Sequence, residues 1–372
     1  MLSFIISLVI IDFSINLKLN LIEDYFIYTY IGDSQTKLKL LVDPTYPFTY
    51  ILKSYKSTTK KYPEINPVIF SNIYGNYSGK WTIDSFYFEE ENITLDIKYL
   101  DIYYKKKNLL TADGVLGLGT YLNNDSNIYY YLNKIPNNCL NNFTVYDKKN
   151  KKLSICEADQ STKGNKISIP FKYNSLLEQG LIDISKINLL LNKNELKINN
   201  EAFTGLIPLL ILTKKESQWV VDNFYNEENK EKSKTNLNEI EKNNINYDEK
   251  KIIESMQIKF IFNNSEYLYE NNDKKDINYI ESFLDLEEFE DNMKNKINKW
   301  YLGLDNKDIE RIEFDFDKRE ISIVLYSFKY LIIRISLFIL VFGFSVFTFL
   351  NIFQKKKEKN QKNENEQELI DI

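Results

Sequence analysis

Residues 113–119 read Asp113-Gly114-Val115-Leu116-Gly117-Leu118-Gly119, a turn in which three glycines are spaced among apolar residues. Glycine lets two backbone segments approach each other closely, because it has no Cβ atom. Chance would seldom place this spacing here. We therefore interpret the turn as architectural: it shapes the fold and carries no chemistry of its own.

Short predicted strands flank this turn on both sides. Many of them alternate polar and apolar residues, as in Lys37-Leu38-Lys39-Leu40, which is typical of a half-buried strand. Together they predict an all-β body with few helices. The predicted strands are Asp24–Tyr30, Lys37–Val42, Trp81–Phe88, Ile93–Tyr104, Phe143–Tyr146, Leu153–Ile155, Ile167–Phe171, Ile187–Ile198, Gln257–Phe262, Ile309–Phe316 and Ile321–Leu325.

The composition is compatible with this body and excludes several functions. The chain has 372 residues, enough for two lobes with separate cores, and its 27 Tyr and 24 Phe pack well on strands. It contains no His, which excludes Ser-His or Cys-His nucleophile pairs and His-bearing metal sites. The net charge of -5 gives no basic surface for phosphates. We expect no cofactor, no metal ion and no nucleic-acid partner.

Both ends of the chain carry apolar segments. Phe4–Ile11 resembles the apolar part of a signal peptide, so we interpret residues 1–16 as one; a buried first strand is the alternative. Ile335–Phe353 is a run of 19 residues without charge, long enough to cross a bilayer as a helix. Three lysines follow at 355–357, which places residues 354–372 in the cytosol.

These ends predict a single-pass protein whose body faces the lumen or the exterior. We expect a membrane of the secretory or endolysosomal pathway, or the cell surface. Cys139 and Cys156 flank a predicted hairpin turn at Lys148–Lys151, so they either form a disulfide or remain buried thiols. Five Asn-x-Ser/Thr triplets fit an ectodomain and begin at Asn76, Asn92, Asn124, Asn142 and Asn263.

Two charged segments interrupt the strands. Residues 225–251 have almost no apolar side chains, which indicates a solvated insertion or loop. Residues 281–298 are rich in carboxylates and resemble a surface helix or another acidic loop, so we interpret these acids as solvated.

Several strings, in this order and spacing, resemble the pepsin-like aspartic proteases over Tyr25–Leu325. The strand that ends at Asp43 is similar to the one leading into the first catalytic Asp of that family, and Tyr74-Gly75 resembles its flap, the hairpin that closes over substrate. The turn at 113–119 is the sharpest match. The resemblance implies a bilobal pepsin-like (acid protease) fold with lobes at residues 17–165 and 166–327, followed by a C-terminal transmembrane helix.

The resemblance also implies which residues would perform catalysis. In that family each lobe contributes one Asp, and the two carboxylates share a proton. The first turn here reads Asp43-Pro44-Thr45, and the second, by alignment, reads Gly205-Leu206-Ile207-Pro208. No Asp occurs between Asp183 and Asp222. We therefore expect a degenerate site, with Asp43 facing Gly205 and with Tyr74 and Gly75 contacting substrate.

Three functions follow as hypotheses. The first is a membrane-anchored pseudoprotease that binds a peptide or protein segment in the interlobe cleft without cutting it. The second is an active aspartic endopeptidase with an altered site, through a second acid elsewhere or through pairing of two chains. The third is a surface glycoprotein in which the fold is only a scaffold.

Overall fold

The computed structural model describes part of the 372-residue chain, which divides into two compact units, Met1–Leu325 and Tyr326–Ile372. The described residues are 17–106, 108–119, 125, 127–134, 139, 142–156, 165–174, 179–183, 187–191, 194–197, 201–207, 209–220, 222, 257–262, 265–270, 283–291, 293, 300–304, 309–325, 336, 338–340 and 342–353.

Strands dominate the first unit, as the sequence predicts. Its described helices are short: α1 (Ile128–Leu132), α2 (214–220) and α3 (Leu286–Asp291), with a 3-10 turn at Glu89–Glu91. The strands are β1 (Leu17–Asn20), β2 (Phe26–Ile31), β3 (Thr36–Asp43), β4 (Tyr50–Ile51), β5 (Val68–Asn72), β6 (Gly75–Phe88), β7 (Ile93–Lys106), β8 (Gly114–Gly117), β9 (Phe143–Asp147), β10 (Lys152–Ile155), β11 (Asn165–Asn174), β12 (Gln179–Asp183), β13 (Ile187–Leu191), β14 (Asn194–Lys197), β15 (Glu201–Gly205), β16 (Leu210–Ile211), β17 (Gln257–Phe262), β18 (Ser265–Glu270), β19 (Trp300–Gly303), β20 (Ile309–Asp315) and β21 (Glu320–Leu325).

The strands form three sheets that follow the order of the chain. A seven-stranded sheet, β2-β3-β8-β4-β7-β6-β5, uses the first third of the sequence. A four-stranded sheet, β14-β13-β17-β18, uses only later residues. A ten-stranded sheet, β1-β10-β9-β20-β21-β11-β12-β15-β19-β16, combines strands from both halves. The predicted lobe boundary at residues 165 and 166 stays a prediction.

The glycines of 113–119 explain the centre of the seven-stranded sheet. Strand β8 pairs in parallel with β3 and antiparallel with β4. A Cβ atom at Gly117 would overlap the Phe48 carbonyl oxygen, and one at Gly119 would lie 2.9 Å from the Thr45 carbonyl oxygen. Only glycine permits this approach, so the motif fixes the loop after β3 against β8.

Most strand predictions agree with the structure to within a few residues, and one needs correction. The single strand predicted at Ile187–Ile198 is instead a hairpin, because β13 and β14 pair antiparallel with Leu191 opposite Asn194. The segment at 281–298 contains the helix α3, which agrees with the surface-helix alternative, but two of its apolar residues, Leu286 and Phe289, are buried.

The two cysteines form a disulfide, with their Cα atoms 4.8 Å apart. The predicted hairpin turn at Lys148–Lys151 joins β9 to β10, whose antiparallel pairing brings the flanking residues together. The disulfide alternative is therefore confirmed, and the buried-thiol alternative is wrong.

The second unit contains helical residues at 342–353 whose large apolar side chains are exposed, Phe347 at 61% for example. Within the described residues, no helix is both long and apolar enough to cross a membrane. The predicted signal peptide (1–16), the insertion (225–251) and the tail (354–372) lie outside the described residues.

Gly117→Ala tests the role of the motif. The added methyl group has no space beside the Phe48 carbonyl, so we expect a loss of about 3 kcal/mol in the free energy of unfolding, at the upper end of the usual cost of overpacking. Urea denaturation measures it. Gly343→Ala is the control, because no atom outside the neighbouring backbone of its own helix lies within 4 Å of its Cβ position. Equal midpoints for both variants would contradict the assignment.

Candidate functional site

Two strand pairs in the body have the same pattern of pairing. Strand β3 runs parallel to β8, which also pairs antiparallel with β4. Strand β15 runs parallel to β19, which also pairs antiparallel with β16. The last residue of β3 is Asp43 and the last of β15 is Gly205, so the two residues end equivalent strands.

The register and the hydrogen bonds of these pairs agree in detail. Asp43 is paired with Gly117, and its carbonyl accepts from Leu118 N at 3.0 Å. Gly205 is paired with Gly303, and its carbonyl accepts from the next residue, Leu304, at 2.8 Å. The structure therefore places glycine at the backbone position equivalent to Asp43.

Asp43 is buried, with 2% of its surface exposed, and its carboxylate receives hydroxyl and amide donors. Thr45 donates to Oδ1 from its backbone N at 2.9 Å and from its hydroxyl at 2.7 Å. The Tyr74 hydroxyl donates to Oδ2 at 3.2 Å. The sequence analysis missed the part played by Thr45, whose hydroxyl lies two residues after the acid and hydrogen-bonds it directly.

The electrostatics of the site come from burial. Burial raises the pKa of Asp43 above its ordinary value, and the hydrogen bonds from Thr45 and Tyr74 partly oppose this shift. Burial also raises the pKa of Tyr74, and the nearby Asp43 charge adds to it, so this tyrosine stays a hydrogen-bond donor. In the described part of the chain, no carboxyl group hydrogen-bonds Asp43, and no cluster of acids and cysteines could hold a metal ion.

The position opposite the acid is filled by an aromatic side chain. A Cβ atom on Gly205 would lie 2.5 Å from the Tyr301 hydroxyl oxygen. Any side chain at 205, aspartate included, would collide with this hydroxyl unless Tyr301 moved. The buried Tyr301 thus occupies space that a second carboxylate would need.

Three rings close the site, and we name them the aromatic cluster: Tyr74, Phe289 and Tyr301. The rings of Tyr74 and Phe289 are stacked at 6.1 Å, and Phe289 packs edge-on against Tyr301 at 5.3 Å. Phe289 is completely buried, and Tyr74 is 2% exposed. Gly75 follows Tyr74 with φ 150° and is also buried. The structure brings Asp43, Tyr74 and Gly75 together in a closed arrangement, and the roles predicted for them in catalysis and substrate contact stay predictions.

The segment that carries Phe289 is bound to the first third of the chain through its backbone. Thr111 N donates to the Phe283 carbonyl at 3.0 Å, and Asp285 N donates to the Leu109 carbonyl at 3.0 Å. The Phe283 ring also meets Phe26 edge-on at 5.0 Å. The signal was present in the sequence, because Leu286, Phe289 and Met293 have helical spacing within the acidic run.

A small cavity shows that the two equivalent strand ends lie close together. Its volume is about 10 Å³, too small for a peptide side chain. It is lined by Pro44 and Thr45 after the first strand end, Thr204 before the second, and Phe171, Phe314, Phe316 and Ile321.

The comparisons with known proteins agree with this architecture. The structure is similar to the crystal structure of an aspartic proteinase from Irpex lacteus, with a TM-score of 0.53 and 14% sequence identity over 84% of this chain and 98% of that one. No protein-family profile and no curated protein matches the sequence. A likeness at this identity establishes the fold: the described body is mostly β-sheet and has the fold of pepsin-like aspartic proteinases.

Asp43→Asn tests the electrostatics of the site. With a folded pKa above the unfolded one, the charged form of Asp43 disfavours folding above the folded pKa, and this cost disappears as the pH falls toward about 3.9. We therefore expect the variant to unfold at a higher temperature than the parent at pH 7, and the gain to shrink near pH 4.

Asp33→Asn is the matched control with the opposite sign. Hydrogen bonds from Thr58 lower the pKa of this exposed acid, so its contribution to stability is present at neutral pH and is lost on acidification. Scanning calorimetry of both variants across this pH range makes the measurement. A lower melting temperature for Asp43→Asn at pH 7 would contradict the assignment.

Proposed function

We propose that this chain is a membrane-anchored protein with an aspartic-proteinase fold that binds a peptide or protein segment between its lobes and does not hydrolyse it. The observation that carries the proposal is that, among the described residues, no second carboxyl group hydrogen-bonds Asp43. Asp43 has hydroxyl and amide partners, and the equivalent position is Gly205, whose side-chain space Tyr301 occupies.

The chemistry of the fold requires two acids. One carboxylate activates a water molecule while the other protonates the carbonyl of the bond that is cut, and the pair shares a single proton. A single buried acid has no partner with which to divide that proton. In this proposal Asp43, which is hydrogen-bonded to Tyr74 and Thr45, therefore has a structural role and does not act as a catalytic base.

Binding in the cleft would begin from a closed site. The Tyr74 ring lies between Asp43 and Phe289, so an incoming side chain must displace it. A hydrogen bond to a charged group contributes about 1.5–3 kcal/mol. A segment would therefore bind only if its contacts in the cleft contribute more free energy than breaking the Asp43–Tyr74 hydrogen bond costs.

The membrane anchor is the other part of the proposal. Residues 335–353 are apolar, and the described apolar side chains in this stretch, such as Phe342 and Phe349, are exposed. Lysines at 355–357 favour a cytosolic tail, which leaves the body in the lumen or outside the cell. The membrane would belong to the secretory or endolysosomal pathway or to the cell surface.

Peptide cleavage at acidic pH tests the lack of hydrolysis. We expect the full chain to leave an unbiased peptide library intact, and Asp43→Asn to behave in the same way, because there is no proton-sharing pair to remove. Mass spectrometry of the library measures it. Cleavage by the parent that Asp43→Asn abolishes would establish the endopeptidase alternative in place of this proposal.

Tyr74→Phe tests binding in the cleft. The variant keeps the ring but removes the hydroxyl that donates to Asp43, so the closed site opens more easily. We expect peptides captured by the parent to bind about tenfold more tightly, which corresponds to a loss of about 1.4 kcal/mol in the closing free energy. Isothermal titration makes the measurement.

Tyr103→Phe is the control, because this tyrosine is 60% exposed on the outer surface. An affinity that Tyr74→Phe and Tyr103→Phe leave equally unchanged would place the partner outside the cleft. That result favours the surface-scaffold alternative over a binding cleft.

A further inference from the structure

The hairpin that carries Tyr74 exposes apolar side chains on its outer face. Strands β5 and β6 pair with Ile69 opposite Ser78, and β6 and β7 pair with Ser78 opposite Tyr104. Residues directly opposite each other share one face of a sheet. Ile69 is 80% exposed and Tyr104 is 57% exposed. We name Ile69, Ser78, Tyr103 and Tyr104 the outer patch.

The outer patch does not contribute to the core. The neighbouring residues on the inner face supply the packing: Tyr77 is 1% exposed, and Phe70 packs against the core. On the outside, the Tyr103 hydroxyl and Ser78 Oγ are 3.1 Å apart, and Tyr103 is 60% exposed. Single exposed apolar residues are common, but several together mark a surface that something covers.

Asn76 lies on the same outer face, next to the patch. It is exposed and is paired with Ser71 on one side and Lys106 on the other. Along β6 it is two residues from Ser78, a distance of about 7 Å. Asn76-Tyr77-Ser78 is also an acceptor triplet for N-linked glycosylation. A modifiable amide therefore stands at the edge of an uncovered apolar patch.

We infer that Asn76 carries an N-linked glycan whose first sugars cover the outer patch. This inference rests on the luminal placement of the body in the proposed function. Nδ2 of Asn76 forms a bond to the anomeric carbon of an oligosaccharide held on a lipid pyrophosphate. The bond from that carbon to the pyrophosphate oxygen breaks, the lipid pyrophosphate leaves, and the amide loses one proton.

A sugar fits this surface chemically. One face of a pyranose ring presents C–H groups that pack on the Tyr104 ring and on Ile69, while its hydroxyl groups remain in water. A glycan is bulky and solubilising, which suits a patch that would otherwise attract other apolar surfaces. It also points away from the Tyr74 ring, which is buried on the side of Asp43.

The other described acceptor triplets differ from this one. Asn92 is exposed at the turn between β6 and β7, where its Oδ1 accepts from the Tyr87 hydroxyl at 3.3 Å. Asn142 is half-buried, its Nδ2 donates to Asp317 at 2.9 Å, and Thr144 of its triplet is completely buried. Asn92 thus serves as the comparison: it is an accessible glycosylation acceptor without an apolar patch beside it.

Site occupancy in the full chain tests the inference. The chain is produced in a eukaryotic secretory cell, and each asparagine is analysed by mass spectrometry after enzymatic deglycosylation in heavy-oxygen water. We expect Asn76 and Asn92 both to be occupied. Occupancy at Asn92 without Asn76 overturns the inference and leaves the luminal placement standing. A chain without glycan at either position overturns both.

Covering of the patch has its own readout. Asn76→Gln and Ser78→Ala both remove the triplet, so each should lose one glycan in gel mobility, bind more of a dye specific for apolar surface, and self-associate. Adding Ile69→Thr to Asn76→Gln should reverse the dye binding. Asn92→Gln should lose one glycan without these effects. Equal dye binding by Asn76→Gln and Asn92→Gln would overturn the covering role.

Discussion

The body depends on two places where backbone segments approach more closely than any side chain allows. Gly117 lies against the Phe48 carbonyl, and Gly303 lies against the Ile207 carbonyl. Because these contacts hold β8 and β19 against the loops that follow β3 and β15, they fix the ends of both strands. Asp43 and Gly205 therefore occupy equivalent positions whatever chemistry they carry, and the frame alone does not decide what the site does.

Much of the fold could be predicted from the sequence, because strand alternation and glycine spacing are local signals. The ends of β3, β17 and β20 followed from them to within one residue. The closed site could not be predicted, because it depends on distant residues. Phe289 lies in an acidic run whose charge masked three apolar positions, and Tyr301 meets Gly205 through a parallel pairing that no local pattern reveals.

The buried acid is compatible with a stable body because hydrogen-bond donors around it offset part of the cost of burying its charge. Thr45 supplies two of them from the same turn, and Tyr74 supplies the third from the hairpin. Desolvation destabilises the charged form of Asp43, and these hydrogen bonds stabilise it. Asp43 thereby connects the turn to the hairpin. Tyr74 both covers the carboxylate and donates a hydrogen bond to it.

The Tyr301 hydroxyl has a consequence for any substitution at position 205. A side chain at 205 fits only once that hydroxyl has moved or gone, and removing the whole Tyr301 ring takes away the edge-on contact of Phe289, which keeps its stacking on Tyr74. A side chain added at 205 or a ring removed at 301, each by itself, lowers stability. Positions 205 and 301 are therefore coupled, and a carboxylate at 205 is compatible with this packing only together with a smaller side chain at 301.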